Sequence, residues 1–331
     1  MVQLVSGRRL LCTKREKLKK IGTTVIAGDA VTVSDWQGER GAIVAVADRR
    51  SELDRPPIAN VDAVLLVFAL AEPAIEPLTL SKFLVKAEGV GVKVQLCLNK
   101  SDLISLAEQQ VWVDRLTNWG YPPLLVSTHT NDGMETLRQQ LQNQITVLAG
   151  HSGVGKSSLI AALIPDLHLR VAAVSGKLNR GRHTTRHVEL FELPTGGLIA
   201  DTPGFNQPDL TCGPIELAGY FPELRHQQVT CQFSDCRHED EPGCGIDRTW
   251  ERYEHYRNFL LIAQQWEQQQ TQQRQPENQW KQRHQAGTAA TLEPRLAAKQ
   301  FRRPSRRSQN QDLTEFTADL NIDDLDQDLD D

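Results

Sequence analysis

The segment GHSGVGKS at residues 150–157 constrains the fold most, because it matches G-x-x-x-x-G-K-[ST] at every fixed position. It follows the apolar run ITVL and precedes the helix-like run SSLIAALI, which is the strand-to-helix setting that this motif needs. Glycines let backbone N–H groups face a phosphate, and the helix N-terminus attracts the same negative charge. The segment therefore predicts a phosphate-binding loop inside an α/β fold.

Continuous apolar runs between residues 61 and 201 support this fold class. A run that is apolar throughout is typical of a strand buried on both faces. Helix-like segments at residues 79–88, 103–119 and 133–144 alternate with the runs, which predicts a parallel sheet with functional loops at the carboxyl ends of its strands. The runs are VDAVLLVFAL, VKVQLCLNK, PPLLVST, ITVLAG and GGLIADTPG.

A second nucleotide motif, NKSD, follows one of these predicted strands at residues 99–102. It matches N-K-x-D, in which the Asp, here Asp102, accepts hydrogen bonds from guanine N1 and the exocyclic amine. Ser127 and Thr128 follow the next run and are predicted to support the base. Four residues can match by chance, but the companion motifs favour guanine over adenine. The predicted nucleotide-binding residues are Asn99, Lys100, Ser101, Asp102, Ser127, Thr128, Gly150, His151, Ser152, Gly153, Val154, Gly155, Lys156, Ser157 and Ser158.

The predicted catalytic residues surround the phosphates. Lys156 is expected to reach the β- and γ-phosphates, and Ser157 is expected to hold Mg²⁺. The sequence DTPG at residues 201–204 resembles the D-x-x-G element, although it would also make a good turn by itself. A threonine in GRHTTRH, residues 181–187, could bind Mg²⁺, or the segment could be a solvated basic loop. The predicted set is Lys156, Ser157, Thr184, Thr185, Asp201 and Gly204, and the sequence does not choose between the two threonines.

The order of these motifs is a circular permutation of the usual one. The base-reading motif comes first and the phosphate loop begins at Gly150, after it. Such an order is tolerated because domain termini lie at the surface, often close together. Phe205 follows DTPG where many GTPases have a glutamine that orients water, so slow intrinsic hydrolysis is expected. The alternative is that another side chain, such as His183 or His187, orients the water.

Three cysteines and a histidine lie within 14 residues further along the chain, in the pattern Cys-x₄-Cys-x-His-x₅-Cys. This set suits tetrahedral Zn²⁺ and leaves no position open for catalysis, so one structural zinc ion per chain is predicted. Reduced core cysteines or a redox pair are the alternatives. The predicted ligands are Cys231, Cys236, His238 and Cys244.

Charge is unevenly distributed outside the nucleotide motifs. Residues 1–57 show short β-type runs and begin with a basic stretch that could follow a phosphate backbone, or could be a solvated face. The C-terminal residues form a basic block and then an acidic block, interpreted as a disordered, solubilising tail rather than a competitor of RNA. No apolar run approaches the roughly 20 residues that cross a bilayer, and a cytoplasmic protein is expected.

The permuted motif order, NKSD, GHSGVGKSSL, GRHTT, DTPGF and the Cys/His spacing together resemble the RsgA family, also called YjeQ or EngC. The resemblance covers about residues 8–265. It implies a multidomain protein with an N-terminal all-β OB-fold barrel, a circularly permuted α/β P-loop GTPase domain and a C-terminal zinc-binding helical domain. The predicted boundaries are 1–57, 58–210 and 211–275, with the tail at 276–331.

The resemblance also implies a function. Members bind GTP, GDP, Mg²⁺ and Zn²⁺, act late in maturation of the small ribosomal subunit, bind its rRNA, and hydrolyse GTP faster on that subunit. A monomer with neither DNA nor membrane as partner is expected. Two alternatives stay open: a nucleotide-gated RNA-binding module without significant catalysis, and a GTPase that acts on another partner.

Overall fold

The structure, a computed structural model, describes residues 1–54, 57–164, 189–201, 208–227, 230–283 and 291–294. Side chains are described for these residues except 19, 54, 189, 273–283 and 291–294. The chain forms two compact units, Met1–Glu267 and Gln268–Asp331. Among the described residues, no helix is both long enough and apolar enough to cross a membrane.

The N-terminal part is rich in strands, as predicted. Its four-stranded sheet has the order β1-β2-β4-β3, with β2 and β4 parallel and β3 and β4 antiparallel. A hairpin, β5-β6, lies beside it, and Ile58 of the hairpin bridges to Ala27. The closed OB barrel itself stays a prediction. The elements are β1 Val2–Gln3, β2 Arg9–Lys14, α1 Glu16–Lys20, β3 Val31–Gln37, β4 Arg40–Val46, β5 Glu52–Asp54 and β6 Pro57–Ala59.

The central part is a six-stranded sheet between two layers of helices. Its strand order is β11-β12-β10-β7-β8-β9, and every pair is parallel except β11-β12. The five apolar runs therefore form strands of a largely parallel sheet, as the sequence predicts. The elements are β7 Ala63–Ala69, α2 Pro77–Glu88, β8 Lys93–Asn99, α3 Leu106–Asn118, β9 Leu124–Leu125, α4 Met134–Leu141, β10 Ile145–Ala149, α5 Lys156–Leu163, β11 Glu189–Glu192 and β12 Leu198–Asp201.

Strand β7 lies near the middle of this sheet and is buried along its whole length. Leu66 and Phe68 pack on the face covered by α2 and α3, whereas Leu65 and Val67 pack on the face covered by α4 and α5. Because successive strand residues point to opposite faces, a strand covered on both sides must be apolar throughout. This is the physical reason for the continuous apolar runs.

The region from residue 211 to residue 279 contains three helices within its described part. Its elements are α6 Pro214–Gly219, α7 Pro222–Gln227 and α8 Tyr253–Gln279. Tyr256, Leu260 and Ala263 form the buried face of α8, at the three-to-four-residue spacing that the sequence predicts. They share a core with Phe221 of the α6-α7 connection and with Val85 of α2. The helical region is thus packed against the central sheet's own helices.

A buried cation joins the helical region to the central region. The Arg252 side chain is fully buried and donates from Nε and Nη2 to the carboxylate of Glu223, at 2.7 Å each. Its Nη1 donates to Oγ of Ser81 in α2 at 3.3 Å. Its guanidinium lies 4.7–5.5 Å from the ring centroids of Phe221, Trp119 and Tyr121.

The structure also describes part of the segment for which the composition predicts disorder. Helix α8 continues to Gln279, and β13 Trp280–Arg283 pairs antiparallel with β14 Thr291–Pro294. Glutamine is a good helix former, which accounts for a helix that outlasts its apolar stripe. Residues 284–290 and 295–331 lie outside the described part, so the expectation of a disordered tail stays untested there.

Candidate functional site

The parallel register brings the predicted loops to one edge of the sheet. Asn99, at the end of β8, lies opposite Ala69 of β7, and Ala149, at the end of β10, lies opposite Leu66 of β7. Asp201 ends β12 opposite Leu148 of β10. NKSD, the phosphate loop and Asp201 therefore leave the sheet at the same edge, where ligands bind in open α/β sheets.

Two glycines of the phosphate loop are required by close packing. Gly150 has φ +141°, and a Cβ there would lie 2.2 Å from the carbonyl oxygen of Val67. Gly155 has φ +95°, and a Cβ there would lie 2.3 Å from Nδ2 of Asn99. Both backbone conformations are ones that side-chain-bearing residues rarely adopt. The spacing of glycines in the motif thus reflects the strand beneath the loop and the base-reading loop beside it.

Lys156 is held over the phosphate loop. Its ammonium donates to the carbonyl oxygens of Gly150 and His151, at 2.8 Å each. Partial burial lowers the pKa of Lys156, and the nearby carboxylate of Asp201 opposes that shift. The next two residues, Ser157 and Ser158, are exposed in the first turn of α5. A cation and two exposed serines therefore lie in the loop and first helical turn at which anionic phosphates would bind.

Asn99 ties the base-reading loop to the phosphate loop. Its side chain is 1% exposed, and Nδ2 donates to the carbonyl oxygen of Val154 at 3.0 Å. Its Oδ1 is buried and has no hydrogen-bond partner among the described residues. Lys100 adopts φ +59° and donates to the carbonyl oxygen of Glu72. Two loops separated by 55 positions in the sequence thus share a direct contact.

Asp102 is held by the loop after β9. Oγ of Ser127 donates to Oδ1 of Asp102 at 2.5 Å, and the same Oγ accepts from the backbone N–H groups of His129 and Thr130 at 3.1 Å each. The backbone N–H of Ser101 donates to Val126 at 3.1 Å. Thr128 is partly buried in this loop. The structure therefore brings the predicted base-reading and base-supporting residues together, with a carboxylate fixed for hydrogen bonding.

Several predicted residues cannot be placed. Thr184, Thr185 and Gly204 lie outside the described residues, as does Phe205. Asp201, at the end of β12, is the part of the D-x-x-G element that the structure describes. The assignment of the magnesium threonine therefore stays open.

The Cys/His set is brought together as predicted. Its four ligand atoms lie within 4.8 Å of one another. Nδ1 of His238 lies 3.5 Å, 3.6 Å and 3.8 Å from Sγ of Cys231, Cys236 and Cys244, and the first and last of these sulfurs are 3.9 Å apart. A tetrahedral ion with Zn–S bonds near 2.3 Å would separate its sulfur ligands by about 3.8 Å, so the residues fit zinc.

The loop around this set is held by groups that the sequence analysis missed. The Glu241 carboxylate accepts from the backbone N–H groups of Arg237 and Glu239, at 3.0 Å and 2.9 Å. The Tyr253 hydroxyl donates to the carbonyl oxygen of His238 at 3.2 Å. Burial lowers the pKa of His238, which favours the neutral imidazole that a metal ligand requires. The ligand segment contains four acidic residues, and the sequence alone does not single out Glu241 among them.

Comparison with protein families identifies the chain's relatives. The model described as "RsgA GTPase" matches residues 46–211, and one described as "50S ribosome-binding GTPase" matches residues 145–286. A protein of Trichormus variabilis named "Small ribosomal subunit biogenesis GTPase RsgA" is 56% identical over 93% of this chain and 84% of its own length. A protein of the same name from Synechocystis sp. is 45% identical over 98% of this chain and 93% of its own length.

Two solved structures are also similar to this chain, in fold and in sequence. "Crystal structure of YjeQ from Thermotoga maritima" superposes with a TM-score of 0.68 at 32% identity, covering 78% of this chain and 91% of that one. "The crystal structure of YloQ, a circularly permuted GTPase" superposes with a TM-score of 0.64 at 33% identity, covering 77% and 86%. The permuted order of the motifs in the sequence thus corresponds to a circularly permuted GTPase fold. The chain belongs to the RsgA GTPase family and is a GTP hydrolase.

Proposed function

We propose that this chain is a GTPase that the small ribosomal subunit activates and that acts late in maturation of that subunit. Two relatives that match over more than nine-tenths of the chain are named for small-subunit biogenesis. The 50S description belongs to a model that matches only from β10 onward, so it carries less weight for the partner. The single observation that carries the activity is the Asn99–Val154 contact, which joins the guanine-reading loop to the phosphate loop.

The nucleotide site works by positioning and charge, since phosphoryl transfer needs little covalent chemistry from the protein. Asn99 and Asp102 orient guanine, Ser127 and Thr128 support it, and the loop from Gly150 to Ser158 holds the phosphates. Lys156 neutralises charge that develops on the β- and γ-phosphates.

A bound Mg²⁺ ion would supply charge stabilisation for the phosphates in the proposed site. Ser157 and either Thr184 or Thr185 would hold the ion, and Asp201 would support it through water. Gly204 would sense the γ-phosphate. Phe205 cannot hydrogen-bond water, so the proposed site hydrolyses GTP slowly until the subunit completes it.

The proposed domains divide the remaining work. Residues 1–57 form an OB-fold RNA-binding domain, residues 58–210 the permuted GTPase domain, and residues 211–275 the zinc domain. Trp36 is 52% exposed on the N-terminal sheet, with the Arg8 guanidinium 5.4 Å from its ring centroid. An exposed aromatic ring beside cations suits single-stranded RNA.

Zinc is proposed as one structural ion on Cys231, Cys236, His238 and Cys244, supported by the mutual distances of the ligand atoms. Nucleotide state would control binding to rRNA and release from it. The chain is proposed to act as a cytoplasmic monomer, without DNA or a membrane as partner, and with residues 276–331 as a solubilising tail.

The test is GTP hydrolysis by the purified chain alone, with small ribosomal subunits, and with large subunits as the control partner. Slow turnover alone and strong stimulation by small subunits, abolished in Lys156→Ala, is the expected result. Nucleotide-dependent subunit binding without stimulated turnover would instead favour a gated RNA-binding module. If small subunits changed neither binding nor rate, the proposed partner would be wrong.

A further inference from the structure

The base-reading loop depends on a short turn for its geometry. Residues Ser101–Leu103 form a single 3₁₀ turn between the left-handed Lys100 and the extended Ile104. Ser127 holds the carboxylate of Asp102 from one side. A hydroxyl contact fixes the end of a side chain but does not fix the backbone that carries it. The backbone N–H of Ser101 is held by the carbonyl oxygen of Val126 at 3.1 Å, so the carbonyl side of the turn is the part that needs a further support.

Gln109 of α3 supplies that support. Its Nε2 donates to the carbonyl oxygen of Ser101 at 2.8 Å, and it lies 3.4 Å from the carbonyl oxygen of Ile104. Ser101 is only 5% exposed. The backbone donor nearest the same carbonyl, the N–H of Ile104, lies at the long distance of 3.5 Å. The glutamine amide is thus the short donor to the carbonyl immediately before Asp102.

The position of Gln109 on its helix favours a structural contact over a solvated one. It lies three and seven residues before Trp112 and Leu116, which are partly and fully buried, so it is on the inward face of α3. The helix start is fixed by a capping box between Ser105 and Glu108. The capped start of α3 therefore places the side chain of Gln109 beside the turn.

We propose that Gln109 is a positioning residue for guanine specificity, because it holds the Ser101 carbonyl and so aims the Asp102 carboxylate. This inference rests on the proposed guanine-binding role of Asp102. The carboxylate accepts from guanine N1 and from the 2-amino group, and hypoxanthine lacks the 2-amino group. Displacement of Asp102 weakens GDP binding more than IDP binding, so the ratio of the two dissociation constants measures whether the carboxylate is correctly positioned.

The experiment measures GDP and IDP dissociation constants for the full chain and two variants. Gln109→Met keeps the length of the side chain but removes the donor, and we expect GDP affinity to fall about fivefold. The preference for GDP over IDP should fall at least about threefold. Gln109→Lys keeps a donor at similar reach and should retain most of the preference.

Gln110→Met is the matched control, because Gln110 is exposed on the outer face and donates to Asp114 at 2.7 Å. It should leave both constants unchanged. A Gln109→Met variant that weakens GDP and IDP equally would overturn the proposal, and so would one with wild-type constants. Loss of preference in Gln109→Lys equal to that in Gln109→Met would also overturn it, since a donor would then not matter.

The result separates this inference from the proposed function. If the wild-type chain bound ADP as tightly as it binds GDP, the guanine site itself would be refuted. A wild-type chain that prefers GDP over both ADP and IDP, with the same preference in Gln109→Met, would refute only the role of Gln109.

Discussion

Replacing Arg252 by methionine should destabilise the protein strongly, because it removes a buried cation. Methionine keeps an unbranched apolar stem between the rings of Phe221, Trp119 and Tyr121. What it removes is the cation, which leaves the Glu223 carboxylate, only 11% exposed, without its bidentate partner. The variant therefore isolates the charge pair from most of the packing.

The magnitude follows from the burial of the pair. Breaking a buried ion pair by removing one partner costs about 3–5 kcal/mol, because the remaining charge stays desolvated. At about 2–4 °C per kcal/mol for a folding unit of this size, the melting temperature should fall by about 6–20 °C. The double variant Arg252→Met/Glu223→Leu removes both charges and should recover most of that loss.

The assay is reversible urea and thermal unfolding of the zinc-loaded protein, followed by tryptophan fluorescence and circular dichroism. Arg257→Met is the control, because Arg257 makes an exposed pair with Glu254 at 3.4 Å that should contribute no more than about 1 kcal/mol. If Arg252→Met were as stable as Arg257→Met, the reasoning would fail. A double variant no more stable than the single one would also refute it, since the loss would then come from packing.

Three further predictions concern the nucleotide and metal sites and the tail. Gly155→Ala should lower nucleotide affinity by roughly tenfold or more, because an alanine at φ +95° is strained and its Cβ would displace Asn99. Gly219→Ala is the control, since a Cβ there meets nothing within 4 Å, and it should leave the affinity unchanged. Isothermal titration measures both, and equal affinities of the two variants would count against the packing argument. Cys236→Ser should abolish the one equivalent of zinc measured by metal analysis, and a folded, metal-free wild-type protein would contradict the site. Deleting residues 286–331 should leave affinity for small subunits unchanged in sedimentation assays, and tighter binding would show that the tail competes with RNA.

The motifs were predictable because each depends on local geometry. Glycines that allow close approach, the N-K-x-D loop at a strand end and the four clustered cysteine and histidine residues all lie within short segments. The sheet was predictable for a similar reason, since burial on both faces forces residues such as those of β7 to be apolar. The permutation was predicted from the order of the motifs, and the family resemblance added the expected order of the domains.

The rest depends on contacts between distant residues. Arg252 and Ser81 are 171 positions apart, and a composition rule places arginine at the surface rather than in a core. In the sequence, Gln109 is indistinguishable from other polar residues of α3, and its role depends on a contact with the turn Ser101–Leu103 that only the structure shows. Strand β11 was missed because its four residues, Glu-Leu-Phe-Glu, form neither a continuous apolar run nor an alternating pattern.

The position of β7 has a consequence for synthesis of the chain. This strand pairs with β8 on one side and with β10 on the other, and β8 and β9 are translated before β10. Because the N-terminal part of a chain leaves the ribosome first, we expect β7, β8 and β9, which carry the predicted guanine-reading loops, to be available for folding before β10. GTP cannot assist folding at this stage, because the protein's phosphate loop, which follows β10, has not yet been translated. The last partner to join β10 is β12, so a nascent chain acquires a complete nucleotide pocket only after residue 201 has emerged.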